Sequence, residues 1–230
     1  MLQLENICIA LGDFTLTANW SLPARARATV IGPSGAGKST LLNALAGFTP
    51  HQGRITLNGQ DVTTATPADR GIAMLFQDGN LFPHLTLLQN VGLGMRARLR
   101  LSPQEADRAR QALARTGLAG LEDRKPGDIS GGQQGRAALS RILVQNKPLL
   151  LLDEPFAALG PALRDEMLDL TADLAGETGA TLLMVTHAPG DVARIGGHVV
   201  FVDDGLAHPP QDAEALMADP PEALRAYLGV

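Results

Sequence analysis

The sequence has almost no cysteine and no long apolar run, and each absence excludes a class of structure. Cys8 is the only cysteine, so no intrachain disulfide can form and nothing indicates an oxidising compartment. The purest apolar runs, Leu149–Leu152 and Leu182–Val185, are far shorter than the ~20 residues that a membrane-spanning helix needs. The opening residues show neither a basic nor an apolar segment, so we expect no signal peptide. We therefore expect a protein that is cytosolic, or held at a membrane by another component.

Basic residues are scarce relative to acidic ones. The chain has 19 Lys and Arg against 24 Asp and Glu, a formal net charge of −5. Sequence-independent binding of nucleic acid needs a cationic surface that displaces counterions, so this balance predicts no nucleic-acid partner. With 45% hydrophobic and 19% charged residues, the chain is expected to fold around a substantial core rather than remain disordered.

Short apolar runs alternate with helical patterns, which predicts a largely parallel sheet covered by helices. The runs that read as buried strands are Ala28–Ile31, Leu149–Leu152, Thr181–Val185 and Val199–Val202. The turn pair Asn58-Gly59 is typical of a two-residue hairpin. It therefore predicts an antiparallel part early in the chain.

A segment richer in helical patterns interrupts this α/β alternation. Thr86–Gln89 and Ser102–Glu105 both match the capping box that begins a helix,. We predict a single domain over 1–230, with a core and β lobe at 1–77 and 147–208, a helical subdomain at 78–146 and a short helical tail at 209–230.

The stretch GPSGAGKST matches the phosphate-binding pattern G-x-x-x-x-G-K-[ST] in full,. It lies between a predicted strand and a predicted helix, and its glycines let backbone N–H groups surround phosphate oxygens without interference from Cβ atoms. Lys38 is expected to reach the β- and γ-phosphates, and Ser39 to bind Mg²⁺. The predicted nucleotide-binding residues are Gly32, Pro33, Ser34, Gly35, Ala36, Gly37, Lys38, Ser39 and Thr40.

Polar side chains follow three of the predicted strands. Asp153 and Glu154 end one strand, Gln77 follows a further strand-like run, Ile72–Phe76, and His187 follows Thr181–Val185. Because ligands bind at the carboxyl ends of the strands in open α/β sheets, one shared site is favoured over three unrelated structural positions. Asp153 is the expected partner of Mg²⁺, and Glu154 is the expected base for an attacking water.

A second glycine pair, in ISGGQ, opens a helical run far along the chain from the first. One phosphate loop is enough for one nucleotide, so ISGGQ has no obvious target in its own chain. If two copies pair head to tail about a two-fold axis, each ISGGQ can close over the γ-phosphate held by the other copy. The N-terminus of the following helix would then face that anion. The residues concerned are Ser130, Gly131, Gly132 and Gln133.

Together these motifs resemble those of the ATP-binding subunits of ABC transporters, from Leu2 to about Leu206. GPSGAGKST resembles Walker A, ISGGQ the family signature and LLLLDEP Walker B, while Gln77 and His187 resemble the Q-loop glutamine and the switch histidine. The resemblance implies a P-loop NTPase fold with a RecA-like core, an antiparallel β subdomain and a helical subdomain. It implies an ATPase that uses ATP and Mg²⁺. Its catalytic residues would be Glu154, His187, Gln77 and Lys38, and its metal ligands Ser39, Gln77 and Asp153.

The resemblance also implies partners and a location. A second copy would complete an ATP-sandwich homodimer, permease subunits in the membrane would dock near Gln77, and a periplasmic substrate-binding protein would be an indirect partner. The chain would then lie at the cytoplasmic face of the inner membrane, as a peripheral protein. More narrowly, MLFQDGNLFPHLTLLQNVGLG, GPALRDEML and TLLMVTHAPGDVARI resemble the ATPases of thiamine importers, which implies thiamine as the transported molecule.

Two positions depart from the family pattern. Leu11, or less convincingly Phe14, stands where an aromatic side chain usually stacks on adenine, and Gly160 replaces the Asp that usually follows FAAL. Three alternatives stay open. They are an ABC ATPase for an inorganic anion, iron, a polyamine or a lipid, an ATP switch with weak hydrolysis, and a soluble ABC-type ATPase acting on DNA. The last usually carries long coiled coils between Walker A and the signature, for which this chain has no room.

Overall fold

The computed structural model describes residues 1–76, 79, 81–96 and 99–229. The strands are β1 (Leu2–Leu11), β2 (Phe14–Leu22), β3 (Arg27–Ile31), β4 (Gln52–Leu57), β5 (Gln60–Asp61), β6 (Ile72–Leu75), β7 (Leu149–Asp153), β8 (Thr181–Val185), β9 (His198–Asp203), β10 (Leu206–Ala207) and β11 (Gln211–Asp212). The helices are α1 (Lys38–Ala46), α2 (Leu87–Gly92), α3 (Pro103–Arg115), α4 (Gly131–Leu143), α5 (Pro161–Thr178), α6 (Pro189–Ile195), α7 (Ala213–Ala218) and α8 (Glu222–Leu228). Within these described ranges, no helix has the length and apolarity needed to cross a membrane.

The strands form one sheet with two parts of different character. β9, β3, β8, β7 and β6 lie side by side in that order and run parallel. β1, β2, β4 and β5 form an antiparallel part, and β10 joins the two parts by pairing with both β9 and β2. The predicted α/β fold with a largely parallel core and an early antiparallel part is confirmed. The carboxyl ends of the parallel strands share one edge of the sheet, which is where a ligand is expected.

The parallel strands are continuous apolar runs because helices cover both of their faces. In β7, Leu149 and Leu151 pack in the cluster that contains the apolar residues of α1. Leu150 and Leu152 point the other way, into the cluster formed with α4 and α5. This alternation follows from the two-residue period of a strand. Because β7 is packed on both faces, the position of Asp153 at its end is well defined.

The antiparallel part contains the predicted hairpin. Leu57 of β4 pairs with Gln60 of β5, so the turn consists of Asn58 and Gly59. Both turn residues have positive φ, 50° and 82°, as the preferred two-residue hairpin turn requires. Asn-Gly is the usual sequence of that turn, which is why the sequence predicted it.

The helices α2, α3 and α4 pack around an apolar cluster of their own, centred on Leu87, Val91 and Leu113. The predicted capping boxes are present at the starts of α2 and α3. The segment 78–146 is less helical than expected, because its backbone runs in turns between Thr116 and Lys125. The predicted boundaries of the subdomain stay a prediction.

The C-terminal segment packs against the parallel part of the sheet. Leu216 of α7 and Leu224 of α8 lie in a buried cluster with Ile31, Val199 and Phe201, from β3 and β9. The predicted helical tail therefore contains two short helices, preceded by the short strand β11. This packing brings α8 close to the edge of the sheet where β3 ends.

Candidate active site

The glycine loop lies between the end of β3 and the start of α1, as predicted. The side chain of Lys38 is almost fully buried, and its Nζ donates hydrogen bonds to the carbonyl oxygens of Gly32 (2.8 Å) and Pro33 (2.7 Å). Burial lowers the pKa of the Lys38 ammonium, and the carboxylates of Glu154 and Asp153 partly oppose this. The loop therefore holds a cation that is close to both carboxylates at the end of β7.

The first glycine of the loop is required by a close approach between backbones. Gly32 has φ +148°, and a Cβ added there would lie 2.0 Å from the carbonyl oxygen of Val202 in β9. Because the neighbouring atom is backbone rather than a flexible side chain, it can move only if the sheet itself shifts. Gly35 also has positive φ, +80°, but a Cβ added there meets nothing within 4 Å.

Gly32→Ala is expected to lower the free energy of unfolding by about 3 kcal/mol or more, since it combines a strained φ with overpacking of two strands. Gly35→Ala is the matched control, because it adds the same methyl group with strain of only about 1 kcal/mol. Urea denaturation of the two variants measures the difference. Equal losses of stability would contradict the role assigned to the Gly32–Val202 approach.

The hydroxyl of Ser39, in the first turn of α1, contacts the carboxylate at the end of β7. Ser39 Oγ donates a hydrogen bond to Asp153 Oδ1 at 2.9 Å. Burial raises the pKa of the Asp153 carboxyl, and the hydrogen bond from Ser39 partly opposes that rise. Two hard oxygen ligands are thus adjacent at the phosphate loop, which is the donor set that Mg²⁺ prefers beside a nucleotide.

Glu154 and His187 meet at the same edge of the sheet. His187 Nε2 lies 2.5 Å from Glu154 Oε1, and the Glu154 side chain is only 19% exposed. The backbone of Glu154 has φ +47°, a left-handed conformation that costs a non-glycine residue roughly 1–2 kcal/mol. A hydrogen bond from Glu154 N to the carbonyl oxygen of Val185 (3.2 Å) contributes to holding it there. Strain of this kind is concentrated at functional sites.

Of the polar residues predicted at the strand ends, Gln77 lies outside the described residues. The two candidates for stacking on adenine are located differently. Phe14 lines the same open cleft as Pro33 and Ser34, whereas Leu11 is 47% exposed and is not among the residues lining that cleft. Phe14, the candidate with the weaker support in the sequence, is therefore the one beside the phosphate loop.

The ISGGQ turn lies at the start of α4, as predicted. Ser130 is exposed, and its Oγ accepts a hydrogen bond from Gln133 N (3.3 Å) while Gln133 Oε1 accepts one from Ser130 N (2.9 Å). This capping box was not among the predicted ones. The residues that line the cleft at the glycine loop, as far as the structure describes them, include none from ISGGQ.

The two glycines of this turn differ in their surroundings. A Cβ added at Gly131 meets nothing within 4 Å, whereas one at Gly132 would lie 2.3 Å from Leu163 Cδ2 of α5. Gly132 is therefore accounted for by packing within the chain. Gly131 leaves the backbone open on the exposed side, where an anion can approach the first N–H groups of the helix.

Gly160 is the N-cap of α5 and makes no side-chain cap. Its φ is −65° and its ψ 157°, a conformation that any residue adopts, and a Cβ added there meets nothing within 4 Å. Its backbone does not require glycine, so an Asp at this position would fit without strain.

Sequence reasoning missed a set of residues that surround His187. Arg164 of α5 and Asp191 of α6 form an ion pair. Arg164 also donates a hydrogen bond to the hydroxyl of Thr186, the residue before His187. Tyr227 of α8 donates a hydrogen bond from its hydroxyl to the carbonyl oxygen of His187 (3.3 Å), and burial raises the pKa of its phenol. None of these residues belongs to a sequence motif used in the predictions. The available signal was the short spacing between Thr186, His187 and Asp191.

Comparisons with known proteins agree with this site. Residues 16–157 match the ABC transporter family. The chain is 55% identical over 230 residues to the thiamine import ATP-binding protein of Ruegeria sp. (strain TM1040), and 57% identical over 230 residues to that of Cereibacter sphaeroides, with 100% of both chains covered in each case.

Two solved structures are similar over nearly the whole chain. One is the ADP conformation of MJ1267, an ATP-binding cassette of an ABC transporter, with a TM-score of 0.88 and 27% identity over 100% of this chain and 99% of that one. The other is the dimeric structure of MJ0796, a bacterial ABC transporter cassette, with a TM-score of 0.79 and 28% identity over 93% of this chain and 99% of that one.

Proposed function

This chain belongs to the ABC transporter family as one of its ATPases, and from that premise we propose that it drives the import of thiamine through a membrane permease. The observation that carries the thiamine assignment is the full-length similarity to two thiamine import ATP-binding proteins. Nothing in the site itself recognises thiamine, because the chemistry of this subunit is directed at ATP.

The proposed binding of ATP is supported by the glycine loop and by Lys38. The loop residues Gly32–Thr40 supply backbone N–H groups and the N-terminus of α1, both of which favour phosphate oxygens. Lys38 carries the positive charge, and its hydrogen bonds to the loop carbonyls keep the ammonium beside the phosphate position. Phe14 lines the neighbouring cleft and is the proposed contact for the adenine ring.

We assign the Mg²⁺ ligands to Ser39 and Asp153, whose oxygens already lie 2.9 Å apart. When bound, Mg²⁺ would supply charge neutralisation of the β- and γ-phosphate oxygens. Gln77 as a third ligand stays a prediction.

Glu154 is the proposed general base of hydrolysis. Its carboxylate accepts the proton of the attacking water, and the contact with His187 Nε2 fixes the orientation of that carboxylate. Glu154 directly follows β7 and His187 follows β8 by two positions, so the two side chains already lie together in the free chain. Most of the catalysis is then positioning and charge stabilisation rather than covalent chemistry. The sequence also predicted Gln77 as a catalytic residue, in addition to Glu154, His187 and Lys38. That role of Gln77 stays a prediction.

The proposed partner at the second glycine pair is another copy of this chain. Exposure of Ser130 and the open space beside Gly131 support an ISGGQ turn that contacts ATP held by the other copy. ATP then shifts the equilibrium toward a closed dimer, because its γ-phosphate is contacted from both sides only in that state. Hydrolysis removes this contact and reopens the dimer.

The proposed docking surface for the permease lies around exposed aromatic side chains. Phe48 is 55% exposed and Phe82 45% exposed, and the ring of Phe48 lies 5.9 Å from that of Phe76. Exposed rings near the segment that contains Gln77 are the kind of anchor that protein interfaces use. A permease bound here would hold the chain at the cytoplasmic face of the inner membrane, with a periplasmic substrate-binding protein as an indirect partner.

Phe48→Asp is expected to weaken co-purification with the permease by about tenfold or more, since it removes an aromatic anchor and buries a charge. The ATPase rate of the isolated chain should stay unchanged. Leu206→Asp is the control, because Leu206 is also an exposed apolar residue (40%) but lies on β10, whereas Phe48 lies in the loop between α1 and β4. Equal weakening by the two variants would argue against the Phe48 surface.

The transported molecule is tested by purifying the chain with its membrane subunits and its substrate-binding protein and measuring uptake into vesicles. We expect ATP-dependent uptake of labelled thiamine that is lost with Lys38→Ala. Phosphate, iron, a polyamine and a lipid serve as competing candidates. ATP-dependent uptake of one of these, with none of thiamine, would replace the thiamine assignment and leave the importer intact.

A further inference from the structure

The turn that carries His187 is held by a buried polar network whose hydrogen bonds, among the described residues, do not include the Glu154 or His187 side chains. Thr186, directly before His187, is 2% exposed and Asp191 is 5% exposed. Arg164 of α5 donates from Nε to Asp191 Oδ1 (3.0 Å), and from Nη2 to Asp191 Oδ2 (2.6 Å) and to Thr186 Oγ1 (3.1 Å). The Thr186 hydroxyl also hydrogen-bonds to Asp191 Oδ2.

This network fixes the backbone on both sides of His187. Thr186 precedes the histidine, and Ala188, which follows it, donates its backbone N–H to Thr186 Oγ1 at 3.1 Å. Arg164 binds the Asp191 carboxylate through two nitrogens, the arrangement in which a guanidinium restricts its partner most strongly. A shift of Arg164 would therefore be transmitted to the His187 turn through Thr186 and Asp191.

We propose that Arg164 is a positioning residue that holds His187 against Glu154. The inference rests on the proposed roles of these two residues in hydrolysis. The contact between His187 Nε2 and Glu154 Oε1 is short, 2.5 Å, although the His187 side chain is 44% exposed. Its geometry therefore depends on the backbone beneath it rather than on close packing around the ring.

The location of Arg164 also connects His187 to the ISGGQ turn. Arg164 lies in the first turn of α5, where its backbone N–H donates to the carbonyl oxygen of Gly160 at 2.9 Å. The residue before it, Leu163, is the side chain that packs against Gly132. Consecutive residues of one helical turn thus contact the signature turn and the His187 turn of the same chain.

The simpler interpretation is that Arg164 only joins α5 to α6. A second arginine allows the two interpretations to be separated. Arg194 of α6 pairs with Asp165 (2.8 Å) and Asp169 (2.7 Å) of α5, so it joins the same two helices without touching the His187 turn. If both arginines were needed only for helix packing, replacing either one would have the same effect on ATP hydrolysis. A positioning role predicts an effect for Arg164 alone.

The experiment compares steady-state ATP hydrolysis of the purified full-length chain with that of Arg164→Ala, Arg164→Lys and Arg194→Ala. We expect Arg164→Ala to lower kcat by about 10- to 100-fold, the size of effect that misplacement of a catalytic group produces. KM for ATP should change less than threefold, because the phosphate loop is untouched. Arg194→Ala should keep the wild-type kcat.

Arg164→Lys addresses the risk that the alanine variant leaves Asp191 buried without a cation and does not fold. Lysine keeps the charge but cannot bind the carboxylate and the hydroxyl together in the manner of a guanidinium. This variant should unfold near the wild-type temperature and still lose about tenfold or more in kcat. A folded Arg164 variant with the wild-type kcat would overturn the proposal.

A double mutant tests whether Arg164 acts through His187. In the His187→Ala background, adding Arg164→Ala or Arg164→Lys should lower kcat by less than twofold, because the residue to be positioned is gone. Losses that multiply in full would show a general structural effect and overturn the proposal, while the proposed function would stand. An unchanged kcat in His187→Ala alone would reject both the role of His187 and the inference built on it.

Discussion

Replacing Glu154 by Gln is expected to slow ATP hydrolysis by at least about 100-fold, while ATP binding is retained. A general base typically contributes a factor of about 100 or more to the rate, and an amide cannot accept the proton of the attacking water. Gln has nearly the same shape as Glu, so the left-handed backbone at this position, with φ +47°, and its hydrogen bond to Val185 should be preserved. Binding should be preserved too, because the phosphate loop and Lys38 are unchanged.

The measurement pairs a phosphate-release assay with the equilibrium binding of a fluorescent ATP analogue. Glu177→Gln is the matched control, since it makes the same chemical change in α5, where Glu177 pairs with Arg115 at the surface. The control should hydrolyse ATP at the wild-type rate. Wild-type turnover in Glu154→Gln would remove Glu154 from the role of base, and loss of ATP binding would show that its main role is structural.

The elements that position the site were predictable because their sequence patterns have few alternatives. A run such as Leu149–Leu152, followed by a carboxylate pair, fits a strand buried on both faces better than any other element. The glycine loop, the hairpin at Asn58-Gly59 and the capped helix start at Ser102 likewise depend on local backbone preferences. For these parts the order of the strands in the sheet was the missing information, since it depends on contacts between distant residues.

The structure adds what such patterns cannot contain. Glu154 adopts positive φ although nothing in LLLLDEP favours that conformation, and its backbone N–H is bound by the carbonyl oxygen of Val185 in β8, a residue far away in the sequence. Arg164 and Asp191 are 27 positions apart, and each alone resembles an ordinary surface charge on a helix. Tyr227 reaches His187 only because α8 packs on β3 and β9. In each case the tertiary fold, rather than the local sequence, determines the contact.

The second large effect is on ATP hydrolysis by dimers, and it tests whether the ISGGQ turn of one chain acts on ATP bound by the other. Lys38→Ala and Ser130→Arg should each lower hydrolysis in homodimers by about 100-fold or more, the first by removing a charge that stabilises the transferred phosphoryl group. Ser130→Arg acts differently, because it places a long cation on the exposed turn and blocks closure of the site that this turn faces, even when ATP is bound there. Mixing the two variants then distinguishes a shared site from a site formed within one chain.

If ISGGQ of one chain acts on ATP held by the other, both lesions of a mixed dimer fall on the same composite site and the second site is intact. An equal mixture should therefore regain about a quarter of the wild-type rate, since half of the dimers are mixed and each has one working site. The control puts both substitutions on one chain and mixes it equally with wild type. Both sites of a mixed dimer are then damaged, and only the wild-type homodimers, about a quarter of all dimers, remain active, so this mixture should also show about a quarter of the wild-type rate. If the site were formed within one chain, this control would show about half of the wild-type rate, because half of its chains are intact, and the first mixture would show none. The ratio of the two mixtures thus assigns the glycine pair at Gly131 to its own chain or to its partner.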